Sequence, residues 1–117
     1  MIEARLAAHI RIEALKRLTQ AAGGFATLLS RGDPVAGAIL IVRTVRGGDN
    51  GVLEGVSALD SGIAWQEIWR EDEGTIAAKG TLTEYLARRR SRDPDIWVIE
   101  LDVANRAQFD VILGQLG

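Results

Sequence analysis

The chain has no cysteine, a single histidine and only two prolines among its 117 residues. Without cysteine there are no disulfides, no thiol nucleophile and no thiolate metal site. With His9 as the sole imidazole, a histidine-rich zinc site is excluded too. Aromatic residues make up only 5% of the chain, so Trp65, Trp69 and Trp97 carry much of its large-side-chain surface. Charge of one sign is not in excess. Fourteen Lys and Arg stand against sixteen Asp and Glu, a formal net charge of -2, which implies no global attraction to nucleic acid or to anionic lipid. Long hydrophobic runs are missing as well. The longest, Ala38 to Val42, is far too short to span a bilayer, and the N-terminal stretch MIEARLAAHIRIEALKR interleaves charges with its apolar residues. A cytoplasmic location, away from the membrane, is the resulting expectation.

What is present describes one globular domain over residues 1–117, with 47% apolar and 26% charged residues. A chain of this mass buries about two thirds of its unfolded surface on folding, enough for a core without staples. The basic residues are almost all arginine, since only Lys16 and Lys79 are lysine. Arginine suits fixed forks to carboxylate or phosphate, although coding composition can produce the same bias.

Periodicity places helix over Leu6 to Ala22, with Arg5 to Ile10 as a short strand before a helix from Ile12 the alternative start, and Gly23-Gly24 stops it. Phe25 to Ser30 reads as a short strand, and Arg31-Gly32-Asp33-Pro34 as a turn. Arg31-Gly32-Asp33 also matches an integrin-binding tripeptide, which in a cytoplasmic chain means no more than a turn. Gly37 to Val45 is branched and apolar nearly throughout, the pattern of a central strand covered on both faces. Gly47-Gly48-Asp49-Asn50-Gly51 is expected to be a hairpin loop, with Asn-Gly as its sharpest signal. Strands over Val52 to Leu59 and Ile63 to Arg70, separated by an Asp60-Ser61-Gly62 turn, complete an antiparallel meander. An acidic loop opens at Glu71, and residues 75–80 are ambiguous. Thr81 with Glu84 forms a capping box for a helix carrying Leu82, Tyr85 and Leu86. Arg88, Arg89 and Arg90 lie in its last turn, where cations suit the dipole, and Asp93-Pro94 ends it. Asp95 to Asp102 is a strand with Trp97, Ile99 and Leu101 on one face and Ile96, Val98 and Glu100 on the other. Asn105 caps a final helix with Phe109, Ile112 and Leu116 inward. The fold class is therefore α/β, a mainly antiparallel sheet of about four to five strands flanked by helices in three layers. A two-layer α+β arrangement is the alternative.

The pieces RLAAHIRIEALKR, AAGGFATLLSRGDPVAGAILIV and YLARRRSRDPDIWVIELD, in this order, resemble the family known as domain of unknown function 1491, small proteins of alphaproteobacteria. The resemblance covers most of the chain and is weakest across Val52 to Ala78. It implies an α/β layered domain of this size. It implies no activity, cofactor or partner, and supplies no catalytic residues.

Candidate chemistry comes from three groupings. Glu54, Glu67 and Glu100 could converge if their strands are neighbours, and carboxylates on one face suit magnesium. Solvated alternate positions explain the same residues. Glu100 interrupts an apolar pattern, so burial would demand a partner. Arg88, Arg89, Arg90 and Arg92 could meet an acidic partner, or simply complement the helix dipole. Arg43, Arg46 and Arg70 would add to a basic surface only if folding gathers them. Trp65 and Trp69 fall on one face of their strand under strict alternation, as core or as a binding platform. His9 could be a lone general base, although a cap or surface role fits better. Neither glycine-rich stretch has the form of a phosphate or dinucleotide loop. The leading reading is a non-enzymatic accessory or protein-interaction domain with a basic and aromatic contact patch: Arg89, Arg92, Trp65 and Trp69. Its partner would be another protein, or a second copy through a free sheet edge, with no cofactor or metal, and a nucleic-acid-binding adaptor is a third reading. The alternative is a small metal-dependent hydrolase or nucleic-acid-processing enzyme using Glu67 and Glu100.

Overall fold

The computed structural model describes residues 7–57, 63–71 and 80–116. Eight elements follow in order: α1 (Ala8–Ala21), β1 (Phe25–Ser30), β2 (Ile39–Val45), β3 (Gly48–Ser57), β4 (Ile63–Arg70), α2 (Leu82–Arg92), β5 (Trp97–Val103) and α3 (Arg106–Leu116). The expected turn at Asp60-Ser61-Gly62, the acidic loop beyond Glu71 and most of the ambiguous 75–80 stretch lie outside the described residues. Among the described residues, no helix is long and apolar enough to cross a membrane.

The helix ends follow local chemistry. Thr81 Oγ1 accepts from the Glu84 amide at 3.1 Å, and Glu84 Oε1 accepts from the Thr81 amide at 3.0 Å, which closes the capping box. Asn105 Oδ1 accepts from the Gln108 amide at 2.8 Å and starts α3. Gly23, at φ +88°, turns the chain out of α1.

The sheet is mixed, in the order β1-β5-β2-β3-β4. The β2-β3-β4 meander is antiparallel, β1 is antiparallel to β5, and β5 runs parallel to β2. The last strand thus enters between the first two. One face carries Ile39, Ile41, Leu53, Trp97, Ile99 and Leu101 under α1 and α3. The other carries Leu40, Val42, Val52, Trp69 and Val98 under α2. This is the three-layer arrangement anticipated from the unbroken apolar run of β2, whose residues from Ile39 to Thr44 are all buried.

The β2–β3 turn departs from expectation. Arg46 (φ +52°) and Gly47 (φ +80°) are its two central residues, and β3 already begins at Gly48. Positive φ at both positions is the hairpin geometry that matches strand twist. Arginine holds it here because its amide donates to Val103 O at 3.0 Å and its Nε to Ala104 O at 3.2 Å. Asp49 and Asn50 then sit opposite Thr44 alone, a bulge, so Asn50-Gly51 belongs to the strand rather than to the turn.

The two Asp-Pro turns meet at the entry to β5. Asp33 N donates to Asp95 O at 2.9 Å, and the Trp97 indole donates to Asp33 O at 2.7 Å. A Cβ on Gly32 would lie 2.1 Å from Asp95 O and 2.7 Å from Ile96 C, so only glycine lets the Arg31–Pro34 turn lie against β5. A Gly32→Ala variant should lose about 2 kcal/mol or more, as overpacking against backbone does. Gly48→Ala, where a Cβ meets nothing within 4 Å, should stay within about 0.5 kcal/mol of the parent. Urea unfolding of the two variants checks both values.

Candidate functional site

β4 does not alternate strictly. Val52 pairs with Trp69 and Leu53 with Glu67, so Ile68 is an extra residue in the strand. That bulge puts Trp69 on the α2 face and leaves Trp65 and Glu67 on the α1/α3 face. The two tryptophans expected on one face therefore point to opposite sides of the sheet. Trp69 is core, 5% exposed and stacked on Tyr85 with ring centroids 6.2 Å apart. Trp65 is half-buried against Gly55, where a Cβ would come within 3.2 Å of the indole. It lines a cleft of about 480 Å³ with Arg11, Val35, Ala38 and Ile63.

The three carboxylates also separate. Glu67 Oε2 accepts from Arg43 Nη2 at 2.8 Å, and Glu67 Oε1 faces Arg70 Nε at 3.4 Å. Arg43 is only 5% exposed, and its guanidinium lies 5.9 Å from the Phe109 ring centroid. Gly51 makes room for this pair, since a Cβ there would sit 2.3 Å from Arg43 Nη2 and 2.7 Å from Glu67 Oε2. On the α2 face, Glu54 receives a two-pronged grip from Arg89, with Nη2–Oε2 at 3.0 Å and Nη1–Oε1 at 3.3 Å. Glu100 accepts from the Thr44 hydroxyl at 2.7 Å, and Asn50 Nδ2 donates to that hydroxyl at 2.8 Å. Glu67 thus faces away from Glu54 and Glu100, and the proposed convergence on one cation fails. The bulges at Ile68 and opposite Thr44 leave each carboxylate with its own partner. Among the described residues, no group of three His, Asp or Glu side chains is placed to hold a metal ion.

The arginines divide in the same way. Burial works to lower the Arg89 pKa, but the hydrogen bonds to Glu54 and Tyr85 and the charge of Glu54 override it and hold the guanidinium above its ordinary value. Since the folded value exceeds the unfolded one, this contribution is present throughout the range below the ordinary arginine pKa and is lost only above it. Arg89 is therefore a strut that holds α2 to β3. Arg92 is exposed and lines a shallow depression on α2 with Arg88 and Ser91. Arg43 and Arg70 share Glu67, while Arg46 is spent on the β2–β3 turn. His9 Nδ1 donates to Pro34 O at 2.8 Å on the protein surface.

One surface feature went unread in the sequence. β1 is an edge strand, with no partner strand on its outer side among the described residues. Its residues alternate between half-buried Ala26, Leu28 and Ser30 and exposed Phe25, Thr27 and Leu29. Phe25 is 73% exposed, the most exposed large apolar side chain described. It sits opposite Asp102, at the end of the sheet beyond the residues that α2 covers. The alternation is visible in FATLLS, but which set of residues faces solvent depends on where α2 stops.

The sequence model described as "Protein of unknown function (DUF1491)" matches residues 6–110. Among solved structures, the chain is similar to a DUF1491 family protein from Caulobacter crescentus CB15 in a crystal structure. Identity there is 28%, coverage is 89% of this chain and 94% of that one, and the TM-score is 0.70. An NMR structure of a DUF1491 family protein from the same organism gives 30% identity, 85% and 86% coverage, and a TM-score of 0.65. The solution structure of protein Atu0922 from A. tumefaciens gives 25% identity, 85% and 86% coverage, and 0.65. No curated protein matches the chain.

Two outcomes follow from the packing of these side chains. A double-mutant cycle with Arg89→Ala and Glu54→Ala should give a coupling of about 1 kcal/mol, because the pair is two-pronged but still partly solvated. Gly51→Ala should destabilise by about 1–3 kcal/mol by displacing the Arg43–Glu67 pair, where an alanine in an open strand would stabilise. Chemical denaturation measures both.

Proposed function

The chain belongs to the DUF1491 family, a family of unknown function, and we propose that it acts as a non-enzymatic protein-interaction domain whose contact surface is the β1 edge. The observation that carries this reading is Phe25, 73% exposed on an edge strand that has no partner among the described residues. An edge strand offers main-chain hydrogen bonds to an extended partner segment, and alternate side chains beside it supply anchoring. Phe25, Thr27 and Leu29 are those side chains. A large aromatic ring left in water is the kind of group that anchors an interface.

The non-enzymatic part rests on how the polar side chains are used. Glu67, Glu54 and Glu100 each hold strands or helix together, and Thr44 is 2% exposed, its hydroxyl bonded to Glu100 and Asn50. Of the residues first considered for the contact, Arg89 and Trp69 serve packing, while Arg92 and Trp65 remain at the surface of α2 and in the wall of a cleft. In this reading they belong to other parts of the surface and are not the anchor.

A Phe25→Ser variant should keep its unfolding free energy within about 0.5 kcal/mol of the parent, since it changes an exposed position. It should also lose capture of the partner that the parent chain retains from lysate of its source cell. Size-exclusion chromatography with light scattering distinguishes a second copy from a different protein. A stable Phe25→Ser chain that still captures the same partner would remove the β1 edge from the proposal, and loss of capture with Arg92→Ala instead would move the contact to α2.

A further inference from the structure

On the opposite face and at the opposite end of the sheet from Phe25, a cleft of about 290 Å³ separates α1 from the end of β1. Its α1 wall is made by His9, Ile12, Glu13 and Lys16, the i, i+3, i+4, i+7 stripe of one helix face. Arg31 and Pro34 face it from the turn after β1. The floor is apolar, formed by Ile12 and Trp97, each 1% exposed.

Three basic groups converge on this cleft, and each is positioned differently. Arg31 lies over Trp97, its Cζ 5.4 Å from the ring centroid. Cation–π attraction holds a guanidinium over an aromatic face without using its N–H donors, which can then grip an oxyanion with two parallel bonds. His9 is oriented by the Nδ1–H bond to Pro34 O at 2.8 Å, because the carbonyl can only accept. Nε2 is therefore the nitrogen left for a ligand. Lys16 is held by Glu13 at 3.1 Å across an exposed i, i+3 pair. Exposed pairs of this type are worth about 0–1 kcal/mol, so an incoming anion competes for the ammonium. With Glu13 counted and His9 neutral, the cleft keeps a surplus positive charge in a chain whose net charge is -2. The α1 amides take no part, since those of Ala8 and His9 donate to Val35 O and Pro34 O.

We propose that this cleft binds the phosphate group of a small phosphomonoester. Arg31 provides the bidentate grip and Lys16 the second cation, His9 Nε2 accepts from the P–OH of the phosphomonoester monoanion, and Leu28 and Pro34 pack against the organic part. Arginine on an indole is the feature that sets this apart from scattered surface charge, because the ring holds the guanidinium beside the cleft. The site is separate from the β1 edge, and binding here is independent of Phe25.

The test is a titration of the ¹⁵N-labelled full chain with ribose 5-phosphate, inorganic phosphate and ribose, followed by NMR and by calorimetry. The Trp97 indole N–H and the Arg31 Nε–H should shift saturably with ribose 5-phosphate, with a dissociation constant of about 1 mM or tighter. Inorganic phosphate should bind at the same residues about tenfold more weakly, and ribose not at all. If the two phosphates bind equally, the organic part makes no contact and the proposal reduces to a phosphate-ion site. Arg31→Gln should abolish binding. Because that change also alters the environment of Trp97, Lys16→Gln serves as the second variant, with binding weakened several-fold by calorimetry and the unfolding midpoint unchanged. Shifts that rise linearly without saturating, or binding that survives both substitutions, would overturn the assignment.

Discussion

The structure depends on one insertion. β5 is the last strand in sequence, yet it lies between β1 and β2, antiparallel to the first and parallel to the second. Until it arrives, β1 and β2 have no common neighbour, and the apolar residues of β2 have only one flank. The parallel register from Ile39 opposite Trp97 to Val45 opposite Val103 buries both strands along nearly their whole length. Each fully buried aliphatic side chain contributes about 1.5–3 kcal/mol, so this central pair is where most of the sheet's stabilisation is concentrated. The Arg31–Pro34 turn and the Asp93–Pro94 turn serve that insertion. The bonds from the Trp97 indole to Asp33 O and from the Asp33 amide to Asp95 O fasten the two crossings together where β5 enters.

A parallel pair requires a crossover, and here α2 is the helix of that crossover. It is the sole described helix on its face, eleven residues long, while α1 and α3 share the other. Eleven residues span about 16 Å, which cannot cover the sheet. The face is consequently apolar where α2 lies and polar beyond it. Thr44, Asn50 and Glu100 tie β2, β3 and β5 together there by side-chain hydrogen bonds in place of packing. Farther out, Phe25 and Thr27 on β1 are exposed. The strand order makes β1 an edge, and the polar seam lies where α2 does not reach.

Much of this was legible in the sequence. Capping residues act locally, so the Thr81–Glu84 box and the Asn105 cap could be read directly, as could the central character of β2 from its unbroken apolar run. What escaped were features set by distant partners. Strict alternation puts Trp65 and Trp69 together, and only the pairing of β4 with β3 reveals the extra residue at Ile68. Asn50-Gly51 has the composition of a turn, but its glycine is needed for the buried Arg43 guanidinium and its asparagine for Thr44. Arg46, a poor candidate for positive φ, takes the turn because Val103 and Ala104 accept its hydrogen bonds. Bulges move side chains across a sheet by one residue, and a pattern-based reading has no local signal for them.

The arginine bias then acquires a structural meaning that composition alone could not give. Arg43 lies between Glu67 and Phe109, Arg89 clamps Glu54 from α2, and Arg46 closes the β2–β3 turn. Arg89 uses the planar fork and Arg43 the face of its guanidinium, and lysine could replicate neither. Replacing such a pair with apolar residues is often neutral for stability, whereas removing one member is costly. Arginine and carboxylate at these positions therefore constrain each other, and they constrain the glycine beside them as well. Arg31 breaks the pattern. Its guanidinium lies over an indole, with no carboxylate in salt-bridge contact among the described residues. A cation held over an aromatic ring without a built-in anion, at a cleft that also holds Lys16 and His9, is an arrangement that stability does not require.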